Sequence, residues 1–332
     1  MRARAVHLAT IALGLCIGTS VASAAPFSSI TTFGDSLTDT GNVFLASGGT
    51  VPTAPYFNGR FTNGPVWLDY FAATLGVPAG AVPALAGGSN FAFGGARTDA
   101  SGSPVPGLLA QIGGFWAPMN PGGADPDGLY VLIGGGNDMR DARSTYQGDT
   151  AGDQAGRQNA AQAAIGNLIN GLGFLAAQGA KHAMVASMPD LGATPEAAAL
   201  GLVDASSDAS ARFNALMPLL LGAGAGFGLN MHFLDMAGLA ADIRNDALLN
   251  GGAQYGITNV FTPCGPFQGS IGISCDVSLF SDALHPSARA HQLLGQRAAS
   301  LFAQRVPEPE SAVLLLLGFS LATLGFARRR RT

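Results

Sequence analysis

Three side chains of this chain could together open an ester. Ser36 lies in Gly34-Asp35-Ser36-Leu37, while Asp282 and His285 share the stretch Asp282-Ala283-Leu284-His285-Pro286. A serine hydroxyl is too weakly acidic to attack a carbonyl unaided at neutral pH, so a base must take its proton as the new bond forms. Imidazole titrates near neutrality and can hand that proton to the leaving alcohol. A carboxylate on the other ring nitrogen would fix the tautomer and stabilise the imidazolium. The spacing of three lets Asp282 and His285 share one turn, and Pro286 biases His285 away from helical torsions. Taken alone, Gly-Asp-Ser is more often a turn than a nucleophile. The distant Asp–His pair is what changes that reading.

Two further blocks lie between these points. Asn90-Phe91-Ala92-Phe93-Gly94-Gly95-Ala96 and Gly135-Gly136-Asn137-Asp138 follow the serine block and precede the Asp–His block. With these four blocks in order over about 250 residues, the chain resembles the GDSL (SGNH) family of serine esterases and lipases. The resemblance implies that Ser36 is the nucleophile, His285 the base and Asp282 the acid. It also implies an oxyanion hole built from the Ser36 N–H, the Gly95 N–H (with Gly94 as the alternative) and the Asn137 side-chain amide. The stretch Met188-Pro189-Asp190-Leu191-Gly192-Ala193-Thr194-Pro195 is similar to the branch containing bacterial phospholipases and haemolysins. The implied fold is α/β: a single doubly wound three-layer α/β/α domain with a mostly parallel sheet, flavodoxin-like. The implied substrate is a lipid or small acyl ester, with no metal and no cofactor. Two alternatives stay open: an acyltransferase using the same triad, and an inert surface or matrix protein on a hydrolase fold.

The elements that must position these residues alternate between strand and helix, which favours one doubly wound domain. Strands are expected over Ser28–Thr31, leading into the serine turn, and over 129–133, 182–186 and 231–234. Leu129-Tyr130-Val131-Leu132-Ile133 is continuously apolar, as a buried parallel strand should be. Helices are expected over 64–75, 157–177, much of 195–221 and 286–304, with a short one near 105–115. Asp35, Asp39, Asn42 and Asp138 read as supports for the surrounding loops. His182 reads as structural, His232 as a satisfied core histidine and His291 as a surface residue.

Composition excludes one partner class. The 332 residues are 11% charged with a net charge of −4, so there is no basic stripe to bind nucleic acid. The N-terminus reads as a secretory signal peptide over residues 1–24. Arg2 and Arg4 form the basic region, Leu8 to Ile17 the apolar region, and Ala22-Ser23-Ala24 the cleavage pattern, with Ala25 as the next cut site. Cys16 leaves lipidation as a minor alternative. Beyond the signal there are two cysteines, Cys264 and Cys275, which in an exported chain read as a disulfide closing a short loop; two free thiols are the alternative. Residues 25–305 would form the hydrolase domain. Residues 306–332 resemble a PEP-CTERM sorting signal, with Pro307-Glu308-Pro309, an apolar run from Ala312 to Phe326, and Arg328-Arg329-Arg330-Arg331. That resemblance implies a Gram-negative host, an exosortase-type processing enzyme as partner, transient inner-membrane anchoring through the C-terminal segment, and a surface or secreted destination. A plain membrane anchor is the alternative.

Overall fold

A strand with no polar position needs cover on both faces, and Leu129–Ile133 occupies the interior of the sheet. In the computed structural model, which describes residues 26–102, 105–268 and 272–303, four parallel strands run in the order β1 (Ile30–Gly34), β2 (Leu129–Ile133), β3 (His182–Ala186) and β4 (Asn230–Leu234). The signal, lipidation, PEP-CTERM and membrane-anchor assignments, and the outer bounds of the hydrolase domain, lie outside the described residues.

Alternate side chains feed two apolar layers, as the two-residue strand period requires. Phe33, Tyr130, Leu132 and Val185 face the layer built by helices Ala151–Ala177, Val203–Ala215 and Met217–Gly226. Ile30, Leu129, Val131 and Met184 face helices Trp67–Thr74 and Ala288–Ser300. The result is the expected three-layer α/β/α domain. The Ala151–Ala177 helix is long and apolar enough by composition to cross a membrane, but Ala164, Ile165, Leu168 and Leu172 bury its apolar side in the core.

A further extended segment flanks β1 on its other side. Thr32 N–H donates to Ser89 O at 3.0 Å, and Phe91 N–H to Thr32 O at 2.7 Å, in a parallel bridge at Asn90. The chain therefore builds outward from β1 first one way and then the other. The crevice between the C-terminal ends of β1 and β2 is a topological switch point, where such sheets hold ligands. A separate pair of strands, β5 (Asn259–Pro263) and β6 (Ser278–Phe280), packs with helix Met236–Asn250 around Ile243, Ile257, Val260, Leu279 and Phe280. β6 delivers the Asp282–His285 turn to the crevice. Cys264 and Cys275 are disulfide-bonded beside it.

Several boundaries differ from the sequence reading for local reasons. Ser28 and Ser29 do not extend β1; their hydroxyls bind Asp125 at 2.6 and 3.1 Å. The long helix starts at Ala151 because Thr150 and Asp153 form a capping box. The 195–221 region divides into Pro195–Leu200, Val203–Ala215 and Met217–Gly226, with Gly201 in the left-handed region (φ 68°) closing the first. The short helix near 105–115 is a continuous run of Leu108–Ala110, a π-helical Gln111–Trp116 and Ala117–Met119. Pro286 is not in the last helix. Ser287 caps that helix through Ala290 N–H, and Pro286 pairs with Phe280.

Candidate active site

Gly34 ends β1 so close to β2 that a Cβ there would run into the Ile133 carbonyl oxygen. The turn that follows is closed by Asp35. Its carbonyl accepts from Thr38 N–H at 3.0 Å and Asp39 N–H at 2.9 Å, and its Oδ1 from Leu37 N–H at 3.0 Å. These bonds leave out Ser36, whose N–H meets no acceptor among the described residues. The hydroxyl of Ser36 points to the other end of the chain, with Oγ 2.9 Å from His285 Nε2. His285 Nδ1 is 2.7 Å from Asp282 Oδ2. Asp282 Oδ1 accepts from Leu284 N–H at 2.7 Å and His285 N–H at 2.6 Å, so one carboxylate oxygen shapes the turn and the other faces the imidazole. Burial pushes the Asp282 carboxyl up, but hydrogen bonds and charge from His285, with the hydroxyl of Tyr56, outweigh it and hold it at about 2.

Tyr56 was not among the residues singled out by sequence. Its hydroxyl donates to Asp282 Oδ2 at 2.7 Å across 226 positions of chain. A tyrosine among Phe57, Phe61 and the Gly, Pro and Asn residues of this loop carries no periodicity that could have pointed to it.

The other expected donors are Gly95, with Gly94 as its alternative, and Asn137, which lines the same cleft as Ser36. Gly94 N–H is committed to Asp39 Oδ2 at 2.9 Å. Gly95 is exposed, holds a φ of 85° that favours glycine, and has an N–H that meets no acceptor among the described residues. This geometry favours Gly95 over Gly94 as the free backbone donor. Asn137 sits in the first turn of helix Gly136–Thr145. One of its amide hydrogens goes to Ala96 O at 2.9 Å, and its Oδ1 accepts from Arg140 Nη1 at 3.2 Å, which orients the amide. Arg140 is itself held by Glu196, which also pairs with the buried Arg143.

The supporting carboxylates take the loop roles read from sequence. Asp39 accepts from the N–H groups of Gly41 and Asn42, both at 2.7 Å, and Asn42 Nδ2 donates to Asn90 O and Ala92 O at 2.7 and 2.9 Å. The serine turn is thus sewn to the Asn90–Gly95 block. Asp138 binds Thr98 Oγ1 at 2.8 Å and is pushed up by burial. Burial likewise pushes Asp35, beside Ser36, up to about 6. His291 is a correction to the sequence reading: it is 1% exposed, and its Nδ1 accepts from Trp67 N–H at 3.2 Å. His232 is another, since its Nε2 has no polar partner among the described residues and its ring packs on His182, Phe27 and Phe302.

Beside Ser36 and His285 opens a largely apolar cleft of about 230 Å³, with Leu37, Met188, Met236, Ile243, Leu279 and Leu294 among its walls. A hydroxyl–imidazole–carboxylate line, free N–H groups and an apolar cleft suit acyl transfer from an ester.

Comparison with known proteins identifies a family and several similar chains. A family model described as GDSL-like lipase/acylhydrolase matches residues 30–298. A phosphatidylcholine-sterol acyltransferase from Aeromonas hydrophila is 29% identical over 84% of this chain and 80% of its own length. The esterase EstA from Pseudomonas aeruginosa is 31% identical over 84% of this chain, which spans 47% of that relative. A solved structure of a lipolytic G-D-S-L family protein from Veillonella parvula covers 83% of this chain and 98% of its own, at 14% identity and a TM-score of 0.45.

Proposed function

The chain belongs to the GDSL-like lipase/acylhydrolase family, and we propose that it hydrolyses lipid or small acyl esters through Ser36, His285 and Asp282 with an acyl-enzyme intermediate. The observation that carries this reading is the unbroken line from Ser36 Oγ through the imidazole to Asp282 Oδ2, with links of 2.9 and 2.7 Å. Ser36 Oγ bonds to the acyl carbon as His285 Nε2 takes its proton. The oxyanion receives the N–H groups of Ser36 and Gly95 and the second amide hydrogen of Asn137. Collapse breaks the ester C–O bond, and the alcohol leaves with the proton returned by His285. Water then repeats the sequence on the acyl-serine. Asp282, held at about 2, stays ionised throughout and stabilises the imidazolium.

The apolar cleft supports an ester with a hydrocarbon acyl group. A second reading, transfer to an alcohol instead of water, is supported by the name of the Aeromonas relative. The Met188–Pro195 stretch supports placement in the phospholipase/haemolysin-like branch. Residues 1–24 and 306–332 support export and exosortase-type sorting around a domain at 25–305; tail deletion that left a reporter membrane-bound would remove that part.

The test is hydrolysis of p-nitrophenyl esters of increasing chain length by the wild type and Ser36→Ala, with a serine-reactive phosphonate. Activity and a phosphonate adduct that both depend on Ser36 are expected. Full activity in Ser36→Ala would overturn the mechanism. A transferred acyl product in the presence of an alcohol would favour the second reading.

A further inference from the structure

The geometry points to Tyr56 as a positioning residue for the acid–base pair, holding Asp282 Oδ2 in line with His285 Nδ1 by a hydroxyl donated at 2.7 Å. The inference rests on the catalytic roles given above to Ser36, His285 and Asp282.

Asp282 Oδ2 has two donors among the described residues, the imidazole and the phenol. Its other oxygen is committed to the N–H groups of Leu284 and His285. Those two bonds restrain Oδ1 but leave the carboxylate able to swing about it. The phenol removes that freedom by fixing Oδ2 from outside the turn. It also takes up part of the charge of a carboxylate that is largely cut off from water. Burial pushes the ionisation of Tyr56 upward, so it remains a neutral donor.

The loop bearing Tyr56 is built as a strap. Phe57 N–H closes it on Thr62 O at 2.9 Å, and Arg60 pairs with Asp69 at 2.7 Å. Thr62 Oγ1 donates to Pro286 O at 2.8 Å, and Asn63 Oδ1 accepts from Ala288 N–H at 2.8 Å. One short loop therefore grips the Asp282–Ala288 segment at three successive points: Tyr56 on Asp282, Thr62 on Pro286 and Asn63 on Ala288. The Phe61 ring lies 5.7 Å from the His285 ring, covering it, and Phe267 of the disulfide loop packs edge-on against Tyr56 at 4.9 Å. A phenol buttressed on its ring and bonded at its tip has one place to put its hydroxyl hydrogen.

Tyr56→Phe keeps the ring and its packing and removes only the donor. With one hydrogen bond fewer, the Asp282 carboxylate becomes more basic and less well aimed. The charge of His285 also acts on Asp35 on the serine turn and on His291 on the last helix, and neither is hydrogen-bonded to Asp282 among the described residues.

The experiment measures kcat, KM and the pH profile of kcat/KM on a p-nitrophenyl ester for the wild type, Tyr56→Phe and Phe267→Leu, with circular dichroism to verify folding. Tyr56→Phe should lower kcat roughly ten- to a hundredfold, the scale of a lost hydrogen bond to a charged group. KM should change little, and the acidic limb should move to higher pH. Phe267→Leu retains the hydroxyl and should keep the wild-type acidic limb with a smaller loss in kcat. Native kcat and pH profile in Tyr56→Phe would overturn the inference, as would equal losses in both variants with neither profile moved. In either case a Ser36 phosphonate adduct on the wild type leaves the reading of the nucleophile standing. Absence of that adduct would overturn both.

Discussion

Asp35→Asn should stabilise the protein at alkaline pH and leave it unchanged near pH 4. Asp35 is buried, and Leu37 N–H donates to its Oδ1. Burial pushes its pKa from 3.8 to about 6, with only partial relief from that hydrogen bond and from the charge of His285. Between those two values the folded protein retains a proton that the unfolded chain has released. Stability therefore falls as pH rises through this window, and the deficit is complete above about 6. The gap corresponds to on the order of 3 kcal/mol. Asparagine keeps an oxygen for Leu37 N–H and never ionises, so the variant should recover up to about that amount at pH 8, a Tm rise of several degrees. It also removes a negative charge near the imidazolium, so kcat should fall while stability rises, the usual exchange at a strained site. Thermal melts at pH 4 and pH 8 decide the matter. An equal gain at both pH values, or none at pH 8, would refute the reasoning, because either would mean that Asp35 does not titrate in that window.

Other perturbations have definite signs. Asn137→Ala should lower kcat by about 10²–10³, the scale of one lost oxyanion donor, with KM little affected in ester kinetics. Glu196→Gln leaves Arg143, 1% exposed, without its carboxylate; urea unfolding should register a loss of about 3–5 kcal/mol. His291 is held neutral by burial, which lowers its pKa from 6.5 to about 3, so it binds a proton on unfolding below 6.5 and its contribution is lost as pH falls toward 3. Melts of His291→Gln between pH 7 and pH 4 should accordingly show a shallower decline than the wild type.

Local chemistry was legible where it did not depend on distant packing. The continuous apolarity of Leu129–Ile133 marked the central strand to the residue, and His182–Ala186 likewise. Ser36, Asp282 and His285 stood out by type, and the structure brings their side chains within hydrogen-bond reach. Helix Met236–Asn250 was missed because its Ala, Gly, Asp and Asn residues blur the apolar stripe, although Met236 and Ile243 are buried. His291 was misread because Arg289, Gln292 and Arg297 give its helix a polar look, while the one face that carries His291, Leu294 and Ala298 packs on Trp67–Thr74. The Tyr56 strap was invisible for a different reason. Its partners lie more than 220 positions away, and nothing in a loop of mixed small and aromatic residues encodes such a pairing.

The two halves of the proposed site, the Asn137 amide and the Asp282–His285 turn, come from distant parts of the chain, yet one residue ties them together. The Glu196 side chain holds Arg140, whose Nη1 orients the Asn137 amide, and the Glu196 backbone N–H donates to Ala283 O at 2.8 Å, inside the Asp282–His285 turn. Helix Pro195–Leu200, which presents Glu196, is itself fixed by Thr194 capping Ala197 N–H. A displacement of that short helix would therefore disturb both the Asn137 amide and the Asp282–His285 turn. The strap reaches the acid–base turn from the other side, through Tyr56, Thr62 and Asn63. Asp282 and His285 are consequently clamped between two independent segments, and Ser36 has only to be presented by a turn whose hydrogen bonds leave its own N–H free. Rigidity of this kind is what preorganised stabilisation of a developing charge demands. It also explains why so many buried polar groups, Asp35, Asp39, Asn42, Asn90 and Arg143, are concentrated around one crevice despite the stability they cost.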